Sequence, residues 1–157
     1  PEMKLVIAPH VVSDSHLREI LDKVKRPCIR YTEATEENVT QADCLIIDCY
    51  GLLSSIYRYG EISYIGGGFG VGIHNVLEAA VYGIPVIFGP NNKKFREAQH
   101  LLEQKGGFEV TGYDDFKRLM DKFLSDEAYL QQAGKAAGNY VNHNAGALEK
   151  IMKDITL

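Results

Sequence analysis

Residues 64–90 read YIGGGFGVGIHNVLEAAVYGIPVIFGP, and this stretch decides the fold. An apolar strand runs into a loop, and the helical run of residues 76–82 then leads to a second apolar strand that ends at Gly89-Pro90. Five of the seven successive positions 66–72 in the loop are glycine: Gly66, Gly67, Gly68, Gly70 and Gly72. Such a loop lets the backbone approach a ligand closely and directs N–H groups and a helix N-terminus at an anion. The stretch therefore predicts an anion-binding strand–loop–helix unit.

Two common phosphate-binding patterns do not fit the glycine loop. No starting position satisfies G-x-G-x-x-G, because Val71, Ile73 or Asn75 stands where the last glycine belongs. Gly67 and Gly72 have the spacing of a P-loop, but Ile73 replaces its lysine. The sequence therefore argues against a dinucleotide site of the usual Rossmann kind and against a nucleoside triphosphate site.

Composition places the chain among globular proteins and predicts a single domain. The 157 residues are 45% hydrophobic, and a net charge of −4 argues against a general nucleic-acid surface. No apolar run approaches the roughly 20 residues of a membrane-spanning helix, and no signal peptide opens the sequence. Because the first four residues lead straight into an apolar strand, we expect an excised piece of a longer protein. Cys28, Cys44 and Cys49 contain no C-x-x-C spacing and are expected to be reduced thiols without a metal.

Short apolar runs alternate with helical spacing along the chain. Strands are predicted near residues 5–8, 28–31, 44–48, 62–65, 85–88 and 108–110. Helices are predicted near residues 17–24, 52–57, 76–82, 95–102 and 116–124, followed by two tail helices at 126–141 and 145–155. Asn142-His143-Asn144 is expected to break the tail helices apart. The alternation predicts a three-layer, Rossmann-like α/β domain with a mostly parallel sheet of about six strands.

Polar residues collect after three of these strands, where ligands bind in open parallel sheets. Pro9-His10 follows the first strand, Asp48-Cys49-Tyr50-Gly51 follows the third, and the glycine loop follows the fourth. His74 and Asn75, at the junction of loop and helix, are candidates to hold an anionic group, although Asn75 is also a good helix cap. Glu78 either complements the helix dipole or accepts hydrogen bonds from sugar hydroxyls, and the sequence leaves both open.

Taken together, these motifs resemble the C-terminal half of the bacterial 3-deoxy-D-manno-octulosonic acid (Kdo) transferases. The resemblance spans roughly residues 5–110, and the H-N-x-L-E run with the following G-x-P-V…G-P is its specific part. The matching segments are Ala8-Pro9-His10, Asp48-Cys49-Tyr50-Gly51, Gly66-Gly67-Gly68, His74-Asn75-Val76-Leu77-Glu78 and Gly83-Ile84-Pro85-Val86-Ile87-Phe88-Gly89-Pro90.

The resemblance implies a function and its site. Kdo transferases are glycosyltransferases of the GT-B fold, with two Rossmann-like domains. They move Kdo from CMP-Kdo to a lipid A precursor, without a metal, in lipopolysaccharide biosynthesis at the cytoplasmic face of the Gram-negative inner membrane. Carried over, cytosine would lie near Tyr50, Gly51 and Leu52, the phosphate at the glycine loop and His74-Asn75, and the ribose at Glu78. The resemblance also includes Pro9 and His10 in the donor site.

The family's catalytic base and its lipid acceptor site belong to the N-terminal domain. We therefore expect residues 1–157 to be a soluble donor-binding domain without a catalytic residue, inactive by itself. Its final helix, residues 145–155, would pack toward the N-terminal domain.

Three departures from the family pattern concern the donor contacts. His10 directly follows Pro9, so the arginine of the family's Pro-Arg-His element has no counterpart. Ile73 replaces a glycine and Ala79 a proline. Two other functions remain open: a GT-B glycosyltransferase or epimerase that uses a UDP-sugar, and a non-catalytic interaction module that binds no nucleotide.

Overall fold

The computed structural model describes residues 3–145, which form two compact units. The first unit ends at Ile56, and the second begins at Tyr57. Apart from Ala145, the predicted final helix over residues 145–155 lies outside the described residues.

The first unit is built on a parallel three-stranded sheet. Its strands are β1 (Leu5–Ile7), β2 (Cys28–Arg30) and β3 (Cys44–Ile46), in the order β1-β3-β2. Helix α1 (Asp14–Lys23) follows β1 and α2 (Leu53–Ile56) follows β3. Ser13 caps α1, since its Oγ accepts a hydrogen bond from the His16 N–H at 3.3 Å. Leu17 of α1 packs on Cys44 and Ile46 of β3 to form the core of this unit.

The second unit contains another parallel three-stranded sheet. Its strands are β4 (Ser63–Ile65), β5 (Val86–Phe88) and β6 (Gly107–Glu109), in that order. Its helices are α3 (Leu77–Ala80), α4 (Arg96–Glu103), α5 (Tyr113–Ser125) and α6 (Glu127–Ala145). Ile65 pairs with Phe88, and Phe88 pairs with Glu109, so the three strands end in line. The loops that follow them therefore leave from one edge of the sheet.

Helices cover both faces of the second sheet. The central strand β5 is completely buried. Val86 and Phe88 face a cluster that includes residues of α3 and α4, whereas Ile87 faces a cluster with Phe123 of α5 and Ala133 of α6. A strand that is apolar at every position requires cover on both faces. The three-layer α/β arrangement predicted from the sequence is thus confirmed for this unit.

The six expected strands are present but are divided between two sheets of three. Each strand contributes three paired residues. A short apolar run predicts that a strand exists, but it carries no information about which other strand it pairs with. The expectation of one sheet of about six strands is corrected in this respect.

The predicted break at residues 142–144 is wrong, because α6 continues through it to Ala145. The polar side chains bond back onto the helix itself. The His143 ring donates from Nδ1 to the Asn139 carbonyl at 2.7 Å, and Asn144 Nδ2 donates to the Tyr140 carbonyl at 2.7 Å. Bonds to the carbonyl four residues earlier let these residues remain helical.

Gly134 allows α6 to cross the turn after α3. Gly83 makes that turn with φ of +70°, and a Cβ at Gly134 would overlap the Gly83 carbonyl oxygen. Because this neighbour is backbone, it cannot rotate away.

We predict that Gly134→Ala lowers the free energy of unfolding by about 1–3 kcal/mol, the usual cost of overpacking. Alanine improves helix propensity by about 1 kcal/mol, which reduces the loss without reversing it. Urea denaturation measures the change. Gly70→Ala is the control, since a Cβ there has its nearest neighbour 3.7 Å away. Equal stability of the two variants would contradict the close crossing.

Candidate functional site

The glycine loop leaves the carboxyl end of β4 and folds back on itself. Gly67 has φ of +89°, and its carbonyl accepts hydrogen bonds from the N–H groups of Gly70 at 2.9 Å and Gly72 at 3.2 Å. The Gly66 carbonyl accepts from the His74 N–H at 3.1 Å. These bonds close the loop and position His74 just before the helical segment. They also occupy three of the N–H groups that the sequence offered to an anion.

The loop after β5 packs against the glycine loop and bonds to it. A Cβ at Gly68 would lie 2.5 Å from the Gly89 nitrogen, so the two backbones touch. Asn91 adds two bonds: its N–H donates to the Gly68 carbonyl at 2.9 Å, and its Nδ2 donates to the Gly70 carbonyl at 2.5 Å. Phe95 completes the contact, because its ring packs against Gly72. The glycine loop is therefore fixed along most of its length.

Asn75 and Glu78 bond to each other at the start of α3. Asn75 Nδ2 donates to Glu78 Oε1 at 3.0 Å, and Asn75 Oδ1 accepts from the Leu77 N–H at 3.0 Å. The capping role expected of Asn75 is therefore present. Glu78 is half-buried. The pKa of the nearby Tyr57 hydroxyl is raised, first by the burial of Tyr57 itself and second by the negative charge of Glu78. A carboxylate held in this way is an oriented acceptor for hydroxyl groups.

Sequence reasoning missed Asn92, a completely buried polar residue behind the loops. Its Nδ2 donates to the Gly89 carbonyl at 2.9 Å and to Glu109 Oε2 at 2.6 Å. Its Oδ1 accepts from Gln99 Nε2 at 2.6 Å. Asn92 thus ties the loop after β5 to the end of β6 and to α4. A run of Asn-Asn before two lysines reads as a surface turn, and the sequence carries no signal that one asparagine is buried.

The first unit carries the other predicted site residues. Ile7 of β1 pairs with Ile46 of β3, so Pro9-His10 and Asp48–Gly51 leave the same edge of that sheet. The Tyr50 side chain is 76% exposed, and Gly51 has φ of +89°. The remaining member, Leu52, directly precedes α2, and its carbonyl accepts from the N–H groups of the third and fourth residues after it, at 3.1 and 3.0 Å.

Asp48 braces this edge by bonding to Thr32. The carboxylate accepts from the Thr32 N–H at 3.0 Å and from the Thr32 hydroxyl at 2.6 Å. Burial raises the pKa of Asp48, but the two bonds from Thr32, together with the Asp48 backbone N–H and the Arg30 charge, outweigh it and hold the pKa below its ordinary value. Asp48 is therefore engaged within the protein and is a positioning group for the loop it begins.

The three cysteines are free thiols. Cys28 and Cys44 face each other across paired strands, and burial raises the pKa of Cys44. Within the described part of the chain, no group of three His, Cys, Asp or Glu side chains is arranged to hold a metal. Over the same residues, no helix is long and apolar enough to cross a membrane.

Comparison with known proteins gives no matching family model. The chain is 32% identical over 125 residues to the 3-deoxy-D-manno-octulosonic acid transferase of Aquifex aeolicus, which covers 78% of this chain and 34% of the relative. It is 29% identical over 158 residues to the protein of the same name from Haemophilus influenzae, which covers 97% of this chain and 36% of the relative. The chain therefore spans about a third of the length of these curated relatives.

Among solved structures, the fold is similar to the C-terminal CMP-Kdo binding domain of WaaA from Acinetobacter baumannii. The TM-score is 0.69 at 18% identity, and the match covers 87% of this chain and 72% of that domain. The structural likeness confirms the predicted Rossmann-like fold. With the curated relatives, it also confirms the predicted resemblance to the Kdo transferases.

We predict that Asn92→Ala lowers the free energy of unfolding by about 1–3 kcal/mol, because it strips the buried Gly89 carbonyl of a donor. Urea denaturation measures the loss. Asn91→Ala is the matched control: it also removes a side-chain bond, but Asn91 is exposed and water can replace it at Gly70. Equal losses in the two variants would argue against a special role for the buried asparagine.

We predict that Thr32→Val raises the pKa of the Asp48 carboxyl, because the hydroxyl bond to the ionised form is lost. Because folding lowers the pKa of Asp48 in the wild type, the ionised carboxylate stabilises the fold above pH 3.8. This stabilisation is lost as the pH falls through the pKa of Asp48 in the folded state. Thr32→Val should therefore lose less stability on acidification. Carboxyl titration by NMR reads the pKa, and Thr40→Val is the control. An unchanged Asp48 titration would contradict the assignment.

Proposed function

We propose that this chain, a homologue of the Kdo transferases, is the donor-binding part of a glycosyltransferase and binds CMP-Kdo and its product CMP. The observation that carries the proposal is the Asn75–Glu78 pair, presented at the end of a braced glycine loop where β4 meets α3. This arrangement combines a backbone that a ligand can approach closely with an oriented carboxylate. A nucleoside monophosphate carries its phosphate next to its ribose, so the phosphate could meet the glycine loop while the ribose hydroxyls meet the carboxylate.

The phosphate is proposed to lie at the glycine loop and His74. No acidic residue occurs between Glu61 and Glu78, so no carboxylate of this segment repels an anion there. The loop after β5 and the first residue of α4 contribute three cations, at Lys93, Lys94 and Arg96, and residues 89–96 contain no acidic residue. Because N–H groups of the loop are used internally, we expect the His74 side chain and the remaining loop amides to contact the phosphate.

The ribose is proposed to lie at Glu78. A carboxylate that accepts from two neighbouring hydroxyls forms charge-assisted hydrogen bonds, which are stronger than neutral ones. The bond from Asn75 holds one carboxylate oxygen, which sets the direction of the other. In this proposal Glu78 combines the two roles that the sequence left as alternatives, complementing the helix dipole and accepting hydrogen bonds from sugar hydroxyls.

For the first unit, we keep the contacts that the resemblance implies. Cytosine is assigned to Tyr50, Gly51 and Leu52, and a further donor contact to Pro9-His10. Because the Leu52 carbonyl is already bonded to α2, the Tyr50 ring and the Gly51 backbone are the groups that remain for the base.

In the complete protein we propose transfer of Kdo to a lipid A precursor at the cytoplasmic face of the inner membrane. The 157-residue chain is proposed to bind the donor without using it, because no residue of the family's catalytic set is assigned to it. Incubating the chain with CMP-Kdo and the precursor should therefore give no product. Robust transfer would contradict this part of the proposal.

Nucleotide choice separates the proposal from its alternatives. We predict that CMP raises the melting temperature of the chain by mass action more than UDP does at equal concentration. A UDP-sugar enzyme would show the opposite preference, and an interaction module would respond to neither nucleotide.

Glu78→Gln should weaken CMP binding about tenfold or more, since hydrogen bonds to a charged group contribute about 1.5–3 kcal/mol. Isothermal titration measures the affinity. Glu61→Gln is the matched control, because it removes an exposed carboxylate two residues before β4. If Glu78→Gln bound CMP as the wild type does, the ribose assignment would be wrong.

A further inference from the structure

A cavity of about 290 Å³ opens beside the exit of the glycine loop in the second unit. It is lined by the segment Ile73–Leu77 and by Phe95 and Glu97 at the start of α4. Ligand pockets usually begin at about 300 Å³. The cavity therefore lies at the small end of that range, a size that suits one ring of a larger ligand.

Phe95 supplies a fixed apolar surface to this cavity. The residue is half-buried, and its ring packs against Gly72 of the glycine loop. Its N–H donates to the Asn92 carbonyl at 2.9 Å. Through Asn92, the position of the ring is tied to the buried network behind the loops. The cavity wall is thus held by the same contacts that hold the glycine loop.

Glu97 is the only acidic residue among those that line the cavity. It lies in the first turn of α4 and is exposed. Its negative charge repels a phosphate at short range, so the phosphate proposed at His74 must lie at the glycine-loop end of the cavity, away from Glu97. An ionised carboxylate only accepts hydrogen bonds, so a ligand beside it must donate them.

These properties select the chemistry of the occupant. It is one ring, with an apolar face for Phe95 and with hydroxyl groups for Glu97. A sugar ring meets each requirement, whereas a phosphate meets none of them. The ribose of the proposed nucleotide is already assigned to Glu78, which leaves the sugar that the donor carries.

We propose that this cavity binds the sugar ring of the nucleotide-sugar donor, with Glu97 accepting hydrogen bonds from its hydroxyl groups and Phe95 packing on its apolar face. The inference rests on the proposed function and adds a subsite to it. For Kdo, which is itself an acid, the sugar carboxylate must face away from Glu97.

The test compares CMP with CMP-Kdo as ligands of the 157-residue chain, by isothermal titration. Glu97→Gln should weaken CMP-Kdo binding about tenfold, the loss of one charge-assisted hydrogen bond, and leave CMP binding unchanged. Glu103→Gln is the matched control, because it removes an exposed carboxylate from the same helix outside the cavity. It should change neither affinity.

Three results would overturn the inference. Equal weakening of CMP and CMP-Kdo by Glu97→Gln would place the ribose in the cavity instead of the sugar. Unchanged binding of both ligands would show that Glu97 contacts neither. If the wild-type chain bound neither ligand, the proposed function would fail and this inference with it, a result distinct from the other two.

Discussion

The backbones of Gly68 and Gly89 touch where β4 and β5 end, and the candidate site depends on that contact. A Cβ on Gly68 would lie 2.5 Å from the Gly89 nitrogen, and one on Gly89 would lie 2.7 Å from the Gly68 carbonyl carbon. Real Cβ atoms do not approach backbone so closely, so both positions require glycine. The contact lets two loops from neighbouring parallel strands pack as one layer at the edge of the sheet, where α/β proteins bind ligands.

Hydrogen bonds next to this contact hold the loops of the candidate site in place. Asn92 is completely buried and joins the loop after β5 to Glu109 and Gln99. Its exposed neighbour Asn91 bonds to the carbonyls of the glycine loop. A satisfied buried network is rigid, because breaking any member leaves polar atoms without partners. The site is therefore supported from behind, and the groups proposed to meet the donor project from a fixed base.

Much of this could be read from the sequence, because the relevant signals are local. Alternating apolar runs and helical spacing predict the strands and helices. Ser13 marks a helix start through its side-chain oxygen, and Gly83 marks a helix end through its positive φ. Strand pairing is not local, so the two sheets could not be predicted. Neither could the unbroken α6, whose His143 and Asn144 side chains bond to the preceding turn. Asn92 was missed for the same reason, since burial depends on residues distant in sequence.

The most direct test of the central claim follows the backbone amides of Gly66–Asn75 by NMR while CMP is added to the chain. If the braced glycine loop is the phosphate site, these signals shift together and saturate. The amide signals of α5, which packs on the face of the sheet that carries Ile87, stay in place. If the loop signals do not move while the protein remains folded, the loop does not hold the nucleotide and the donor-site assignment is wrong.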